Sequence, residues 1–272
     1  MLRGNKTVGI LREVKNKWER RAPLAPHHVE KLIKDHKLRV LVQPCTRRVY
    51  SDEEYKRAGA ELADNLSPAS LIIGVKEVPI KNLLSDRTYM FFSHTIKAQP
   101  VNMPLLDAIL DKNIRLVDYE TIVEGGVRGN RRLVAFGRYA GIAGMIDTFR
   151  GLGERLLSTG YGTPFLSVSN TFMYPDLQSA KAGIIKAGEK ISDIGTPNGL
   201  GPLTFVFTGN GNVSQGAQEI FKLLPHEMVA PKDLPSLVNS KGVDLKKVYG
   251  TIGNLHSSLF FSKLGLVTFY YT

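Results

Sequence analysis

Short apolar runs alternate with amphipathic patterns through the first half of the chain. The runs are rich in Val, Ile and Phe and predict β-strands at residues 7–11, 39–43, 71–76, 89–94 and 114–120. Helical periodicity separates some of them, at residues 26–37 and 104–111. Apolar strands spaced by helices are typical of a mostly parallel sheet covered on both faces. The first half is therefore predicted to be an α/β domain.

The second half contains an apolar run that breaks into glycines and resumes as a helical pattern, Thr204-Phe-Val-Phe-Thr-Gly-Asn-Gly-Asn-Val-Ser-Gln-Gly-Ala217. Gly209 would allow a tight turn, and Gly211 would let backbone N–H groups approach a pyrophosphate at a helix N-terminus. The third glycine of the pattern Gly-x-Gly-x-x-Gly falls at Ser214, with Gly216 two residues later. The segment predicts a nucleotide-binding turn, with a plain glycine turn as the alternative. The predicted binding residues are Gly209, Gly211, Asn212, Val213 and Ser214.

These patterns predict an α/β fold with two Rossmann-like parallel-sheet domains, the second of them incomplete. The first domain is assigned to residues 1–136 and the second to residues 201–272. Residues 137–200 are interpreted as a connecting helical segment, in which the small residues at 137–144 indicate close helix packing and a hinge. Only one or two further strand–helix units fit after residue 203, where a complete nucleotide-binding domain needs several.

Composition narrows the class of protein. The 272 residues include 36 Lys and Arg against 25 Asp and Glu, a net charge of +11. The basic residues are dispersed among acids and no nucleic-acid-binding motif accompanies them, so a solvated surface that attracts anionic metabolites is favoured over a nucleic-acid interface. Cys45 is the only cysteine, which excludes an intramolecular disulfide, argues against a zinc site and fits a reducing compartment. No metal site is predicted.

The apolar runs are all far shorter than the roughly 20 residues that a membrane-spanning helix requires. Residues 1–6 leave no room for a signal or transit peptide if Met1 is the true start. The sequence therefore predicts a soluble, cytoplasmic protein without nucleic-acid or membrane partners. The mitochondrial matrix is the alternative if a transit peptide precedes this sequence.

Ionisable residues stand at the ends of three of the apolar runs. Lys76 ends one predicted strand and is followed by Glu77, and the next two end in His94 and Glu120. Because ligands of open α/β sheets bind beyond the carboxyl ends of the strands, these side chains are expected to converge on one crevice. A lysine, a histidine and carboxylates in a partly desolvated cleft are suited to proton transfer near neutral pH. Each of them alone is explained as well by an ordinary polar strand end.

The loop after the first predicted strand is basic, Lys17-Trp-Glu-Arg-Arg-Ala-Pro-Leu-Ala-Pro26. Arg20 and Arg21 lie past the carboxyl end of that strand, and arginine is suited to bidentate recognition of a carboxylate. Pro23 and Pro26 limit the freedom of the loop and would hold an arginine in place. The alternative is a solvated basic loop.

Five motifs occur in the order and with the spacing of a known family. They are Trp18-Glu-Arg-Arg-Ala-Pro-Leu24, Ile73-Gly-Val-Lys-Glu77, Phe92-Ser-His-Thr-Ile-Lys-Ala-Gln99, Val134-Ala-Phe-Gly-Arg-Tyr-Ala-Gly141 and Phe205-Val-Phe-Thr-Gly-Asn-Gly-Asn-Val-Ser214. Over about residues 7–250 the sequence resembles the lysine-ketoglutarate reductase half of bifunctional aminoadipic semialdehyde synthases. That family is related to saccharopine dehydrogenase and to alanine dehydrogenase/transhydrogenase. The resemblance implies that residues 1–136 are a substrate-binding domain like the N-terminal domain of alanine dehydrogenase/transhydrogenase.

The resemblance also implies an enzyme that joins L-lysine to 2-oxoglutarate. The ε-amine attacks the keto carbon, the carbinolamine loses water to form an imine, and NADPH delivers hydride to give saccharopine. By position, the resemblance implies Lys76 and His94 as an acid–base pair and Arg21 as a ligand of a substrate carboxylate. It further implies acids that tune the pair and one more basic residue of the substrate site, namely Glu77, Glu120 and Lys97.

NADPH is also favoured by the residues expected after the second strand of the nucleotide-binding half. NAD-selective folds place an acid there, about 20 residues past the first glycine, to bind the ribose hydroxyls. If residues 227–230 form that strand, its end is Ala230-Pro231-Lys232, which has no acid and a basic residue nearby. Glu227 comes too early in this register, but a shift of a few residues would reverse the preference.

Residues 255–272 no longer resemble the family and are interpreted as a truncated or alternatively spliced end. A sheet that lacks its central strands would leave apolar edges exposed. Two interpretations therefore stay open, a lysine-ketoglutarate reductase and a non-catalytic module that retains the substrate pocket. An alanine dehydrogenase-like activity is disfavoured by the arginine loop and by Phe92-Ser-His-Thr95. A homo-oligomer is also left open.

Overall fold

The chain divides into two compact units, Met1–Ala135 and Phe136–Thr272. The structure is a computed structural model, and it describes residues 4–240 and 242–253. Residues 137–200 fall within the second unit. Their assignment as a connector stays a prediction, as do the domain boundaries drawn from the sequence.

Alternation of strand and helix builds the first unit. Its elements are β1 (Thr7–Ile10), α1 (Pro26–His36), β2 (Arg39–Val42), α2 (Asp52–Arg57), β3 (Glu61–Leu62), β4 (Leu71–Lys76), β5 (Thr88–Phe92), α3 (Met103–Asp111) and β6 (Arg115–Asp118). The six strands are parallel, in the order β3-β2-β1-β4-β5-β6. The predicted parallel α/β fold is confirmed. β3 has only two residues, too few to form a recognisable apolar run.

β1 lies inside this sheet and pairs on both sides, with Gly9 opposite Leu41 of β2 and Ile72 of β4. The helices after β1 and β2 bury Val29 and Tyr55 in one core cluster, whereas Val78 and Leu83, which follow β4, lie in a separate cluster together with α3. The chain therefore leaves β1 and β4 towards opposite faces of the sheet. In such a fold a crevice opens between the carboxyl ends of the two diverging strands, and ligands bind there.

The second unit has a smaller parallel sheet. Its elements are α4 (Gly137–Ser158), α5 (Leu177–Ile194), β7 (Thr204–Thr208), α6 (Asn212–Phe221), β8 (His226–Met228), α7 (Leu234–Asn239) and β9 (Val248–Gly253). Phe149, Phe165, Ile184 and Phe221 are fully buried in its core. The segment predicted to diverge from the family, residues 255–272, lies outside the described residues. The prediction that this domain is incomplete therefore stays a prediction.

β9, and not β8, is the neighbour of β7 in the order β7-β9-β8. The segment Val248–Gly253 is almost entirely buried and pairs on both sides, whereas His226–Met228 is short, polar and mostly exposed. A buried apolar strand is stable in the centre of a sheet, and a short charged strand is stable at its edge. The second strand of this half in chain order, β8, therefore lies close to the residues 227–230 considered from the sequence, but β9 separates it from β7.

Small residues let α4 and α6 cross closely. A side chain at Gly141 would overlap the carbonyl oxygen of Val213, and one at Gly216 would overlap that of Arg138. Gly216 thus supplies the close approach that the nucleotide-binding pattern requires of its third glycine, although its partner is a helix. Within residues 4–240 and 242–253, no helix is long and apolar enough to cross a membrane.

Candidate active site

The carboxyl edge of the first sheet carries the predicted proton-transfer residues. Lys76 is the last residue of β4, and His94 and Glu120 each follow their strand by two positions. Parallel strands end at the same edge, so the three residues stand at one edge of the domain. The backbone of His94 is left-handed, with a φ of 58°. This conformation costs a non-glycine residue roughly 1–3 kcal/mol and is concentrated at functional sites.

Glu120 is a buried carboxylate shared by three basic side chains. Its Oε2 lies 3.0 Å from His94 Nδ1, and its Oε1 lies 3.5 Å from Lys97 Nζ and 3.3 Å from an amino group of Arg132. The Glu120 side chain is only 4% exposed, and burying a carboxylate is costly unless such partners surround it. The sequence prediction does not include Arg132. Several basic residues lie next to one another in its loop, and only the ion pair with Glu120 in the folded chain distinguishes Arg132 from them.

A second set of contacts holds the strand ends around His94. The buried Ser93 hydroxyl donates a hydrogen bond to Asp118, and the same carboxylate accepts one from the backbone N–H of Glu120 (2.8 Å). The His94 ring stacks on Phe92 with a centroid distance of 6.4 Å and an interplanar angle of 19°. The ends of β5 and β6 are therefore tied together, and the imidazole is held against Glu120.

Glu77 pairs with Lys15, a residue of the loop after β1. Burial raises the pKa of Glu77, but the ion pair with Lys15, a backbone N–H and the nearby charge of His94 outweigh burial and lower it overall. One carboxylate oxygen, Oε2, is buried and has no hydrogen-bond partner among the described residues. Glu77 is thus ionised next to His94 and keeps an acceptor for a ligand.

Arg21 forms a two-pronged contact with Glu19, at 2.8 Å from Nε and 2.6 Å from a terminal nitrogen. The hydrogen bonds from Arg21 lower the pKa of Glu19, and the charge of Lys76 acts in the same direction. Lys76 therefore lies within electrostatic reach of the arginine loop. The sequence prediction missed Glu19, since a carboxylate beside two arginines looks like an ordinary surface charge.

A cavity of about 320 Å³ opens at the carboxyl ends of β1 and β4. Its lining includes Glu13, Lys76 and Glu77, together with apolar side chains such as Ile72 and Tyr89. A few converging polar groups on an apolar wall are typical of a small-molecule site. Among the described residues, no His, Cys, Asp and Glu side chains group as three metal ligands would.

The glycine turn of the second unit connects β7 to α6. Gly209 has a φ of 76°, which favours glycine, and its N–H donates to the Gly253 carbonyl (2.8 Å). Gly211 is the N-cap of α6; no described side chain caps this helix, and a Cβ at Gly211 would meet no described atom within 4 Å. Residues 212–214 form its first turn, where the hydroxyl of Ser214 accepts a hydrogen bond from a side chain one turn later (3.0 Å). An open helix N-terminus fits an anionic phosphate.

Residues 9–143 match the family described as alanine dehydrogenase/PNT, N-terminal domain. The chain belongs to this family. The matched region contains the whole of the sheet edge described above, including Lys76, His94 and Glu120, and it ends early in α4. The family resemblance inferred from the five motifs is confirmed.

Similar proteins extend the match beyond this domain. The chain is 49% identical over 266 residues to alpha-aminoadipic semialdehyde synthase of Arabidopsis thaliana, which covers 94% of the chain and 25% of that protein. It is 49% identical over 252 residues to mitochondrial alpha-aminoadipic semialdehyde synthase of Rattus norvegicus, covering 93% of the chain and 27% of that protein. Saccharopine dehydrogenase [NAD(+), L-lysine-forming] of Neurospora crassa is 27% identical over 249 residues, covering 89% and 63%.

The chain therefore spans about a quarter of the length of the semialdehyde synthases that it matches. The structure brings the predicted first-unit residues into two linked groups, one centred on Glu120 and one on Glu19, with Lys76 and Glu77 at their border. The roles of these residues, and those of the glycine turn, stay predictions.

Proposed function

We propose that the chain carries a lysine-ketoglutarate reductase activity, the NADPH-dependent reductive condensation of L-lysine with 2-oxoglutarate to saccharopine. The observation that carries the proposal is the sheet edge at which Lys76, His94 and their paired carboxylates stand, in a chain similar to aminoadipic semialdehyde synthases and saccharopine dehydrogenases. The reaction would be the first step of lysine degradation through saccharopine.

Two cationic side chains account for the binding of a dicarboxylate. Arg21 stands in the loop beyond β1, and Lys97 lies at the far side of Glu120. A dicarboxylic keto acid needs a cation for each carboxylate. The two positive groups are partly exposed, at 42% and 50% of their side chains, so a ligand reaches them from solvent.

Lys76 and His94 account for the proton transfers. Imine formation requires protons to leave the attacking amine and to reach the departing hydroxyl, and a lysine and a histidine within one polar site supply both kinds of transfer. Glu120 contacts His94 directly and Glu77 lies within electrostatic reach of it, so the two carboxylates help to hold the pair in place. Glu77 also retains an acceptor oxygen for the amine of L-lysine.

The open N-terminus of α6 and the left-handed Gly209 fit the pyrophosphate of a nicotinamide dinucleotide. When bound, the reduced cofactor supplies the hydride that converts the imine to the amine. NADPH is favoured over NADH because β9, the strand beside β7, has no acidic side chain in Val248–Gly253 to bind a ribose hydroxyl.

A reducing compartment suits a chain with a single cysteine. The cytoplasm meets this condition, and so does the mitochondrial matrix; the name of the rat relative describes that protein as mitochondrial. The partners of the chain are then small molecules, L-lysine and 2-oxoglutarate, with a second copy of the chain left open.

The proposal is tested by the fall in NADPH absorbance with the purified 272-residue chain. NADPH should be consumed only when L-lysine and 2-oxoglutarate are both present, and faster than NADH. Lys76→Met should lower kcat about 100-fold or more at an unchanged unfolding midpoint, because general acid–base groups contribute about 10²–10⁴-fold to rates. Lys31→Met, which removes an exposed lysine of α1, is the matched control and should keep the parent rate.

Equal losses of activity and stability in Lys76→Met would contradict a catalytic role for that lysine. Calorimetric binding of L-lysine or 2-oxoglutarate without any consumption of NADPH would contradict the enzyme, and would support a non-catalytic substrate-binding module instead.

A further inference from the structure

A buried carboxylate that no role above uses lies at the point where β1 and β4 diverge. Glu13 stands three residues beyond β1, is 7% exposed, and lines the cavity beside Lys76. A carboxylate is seldom buried to this extent unless its oxygens are bound. The partners of Glu13 are backbone groups on the neighbouring strand.

Glu13 receives two hydrogen bonds from successive residues of β4. Its Oε1 accepts from the N–H of Val75 at 2.6 Å, and its Oε2 accepts from the N–H of Lys76 at 3.0 Å. In a regular strand, successive N–H groups point to opposite sides. That both reach one carboxylate means that the strand is irregular here, and the pairing of β4 with β5 does shift register between Ile73 and Lys76.

The end of β4 has no neighbouring strand on the side of β1, and this explains why a side chain binds its backbone N–H groups. The pairing of β1 with β4 ends at Ile10 and Ile73 among the described residues, one residue before Gly74. Beyond that pair β1 has turned away, and the N–H groups at the end of β4 would face the cavity without an acceptor. The carboxylate of Glu13 takes the place of a strand at the last two residues of β4.

Gly74 leaves the space that this arrangement requires. A Cβ at Gly74 would lie 3.1 Å from Leu11 Cδ1 and 3.4 Å from Glu13 Oε1. The first distance is tighter than ordinary contact, and the second would place the added methyl group directly against the carboxylate, so Leu11 or the strand has to shift beside Glu13. Glycine at position 74 therefore leaves the room that the Glu13 carboxylate needs beside β4.

The surroundings also connect Glu13 to the rest of the site. Burial raises the pKa of Glu13, while its two backbone hydrogen bonds and the charge of Arg21 oppose the rise. The charge of Glu13 in turn raises the pKa of Tyr119, after the larger effect of burial. The carboxylate is thus within electrostatic reach of the arginine loop and of the residues beside Glu120.

We propose that Glu13 is a positioning residue: by binding the irregular end of β4, its carboxylate sets where the amine of Lys76 stands in the active site. The effect on catalysis rests on the proposed function, and the effect on the strand does not. Glu13 acts through Lys76 and need not touch a substrate.

Kinetics of Glu13→Gln test the catalytic part. Glutamine keeps the length but places an NH₂ group against one of the two N–H donors, so the end of β4 shifts. A misplacement of 1 Å costs about 100-fold in rate, and we expect kcat to fall by roughly 10- to 100-fold, with the KM of each substrate changed far less. Glu53→Gln, at an exposed position of α2, is the control and should keep both constants.

A double-mutant cycle separates positioning from a general loss of structure. In the Lys76→Met background there is no amine left to place, so Glu13→Gln should add almost no further loss of kcat. The same fold-loss in both backgrounds would overturn the proposal. Gly74→Ala perturbs the same contact from the β4 side and serves as the second variant if Glu13→Gln does not fold. It should lower kcat in the parent chain and cause almost no further loss of kcat in the Lys76→Met background.

The strand part is tested without any activity. In chain labelled with ¹⁵N at valine and lysine, the amide protons of Val75 and Lys76 should lie downfield and move upfield in Glu13→Gln more than other labelled amides of the first unit. If the parent chain does not consume NADPH, the proposed function fails and this measurement alone decides on Glu13. Unchanged Val75 and Lys76 amides would overturn the anchoring.

Discussion

At the residue scale, the acids of the site differ in how their charge is compensated. Glu120 is shared by a histidine, a lysine and an arginine, Glu19 is bound by one arginine, and Glu13 is bound by backbone N–H groups. Ion pairs and fixed backbone dipoles both stabilise a buried carboxylate, but only the ion pairs are lost when a partner side chain is removed. The pKa of Glu19 therefore depends on one removable side chain, whereas the backbone hydrogen bonds of Glu13 remain when a neighbouring side chain is replaced.

Lys15→Met tests this at Glu77. Burial is the largest effect on the Glu77 carboxyl and acts upward, so removal of the ion pair should raise its pKa from below the ordinary 4.5 towards or above it. Titration of the carboxyl carbon by ¹³C NMR measures the shift. Lys34→Met breaks an exposed pair with Glu30 and should leave Glu77 unchanged. An unmoved Glu77 titration in Lys15→Met would show that Lys15 does not hold it.

The same variant has a defined effect on the pH dependence of stability. A carboxyl with a lowered pKa in the folded state contributes stability above its unfolded pKa, and loses that contribution as the pH falls through its folded pKa. The difference in free energy of unfolding between parent and Lys15→Met should therefore be largest near neutral pH and shrink below about pH 4. A difference that grows in acid would contradict this account.

At the element scale, the crossing of α4 and α6 sets the frame of the glycine turn. Gly141 and Gly216 bring the two helix backbones into contact at the first turns of α6. A helix fixed so near its N-terminus presents its free N–H groups in a constant direction, which preorganises an anion site. The stability of the second unit and its binding of a dinucleotide should therefore depend on the same contact.

Gly216→Ala should destabilise the chain by about 2 kcal/mol or more, because overpacking against a backbone costs roughly 1–3 kcal/mol and the overlap with the Arg138 carbonyl is severe. Gly151→Ala is the matched control: it lies on the exposed side of α4, where a Cβ meets no described atom within 4 Å. Alanine there should stabilise the helix by roughly 0.5–1 kcal/mol. Urea unfolding measures both, and equal effects would contradict the close crossing.

The strands show how far an apolar pattern predicts an element. Five strands of the first sheet lie within two residues of their predicted ends, because a buried parallel strand is a continuous apolar run whatever its neighbours are. The position of β9 between β7 and β8 was not predictable in this way. Strand order is decided by competition among strands for the centre of the sheet, and the more buried strand wins.

At the scale of the whole molecule, each unit has its own hydrophobic core and its own candidate ligand site. The net charge of +11 attracts any anion, including NADPH and 2-oxoglutarate. Attraction by net charge is screened by salt and has no preferred location, whereas a built site gives protection at particular residues. Measurements on individual residues therefore distinguish general attraction by net charge from binding at a built site better than overall affinities do.

Hydrogen exchange should show separate footprints for the two ligand classes. NADPH should slow exchange at residues 209–216, and L-lysine with 2-oxoglutarate should slow it around residues 13–21 and 94–97. A ligand at 100 times its Kd adds about 2.7 kcal/mol to the stability of the state that binds it. Sulfate at matched ionic strength is the control for general anion binding. Equal protection by sulfate and NADPH would contradict a dinucleotide site at the glycine turn.

The sequence by itself determined the parallel α/β fold, the family, and the placement of Lys76, His94 and Glu120 at one sheet edge. The fold and the sheet edge follow from local apolar runs and from the rule that parallel strands end together, and the family follows from five motifs in order. Only the tertiary structure decided the partners of the acids: Glu13 meets the backbone of Lys76, 63 residues away, and Arg132 meets Glu120 because the connection between β6 and α4 folds back on itself. Such contacts depend on which loops the fold brings together, and no local pattern encodes that.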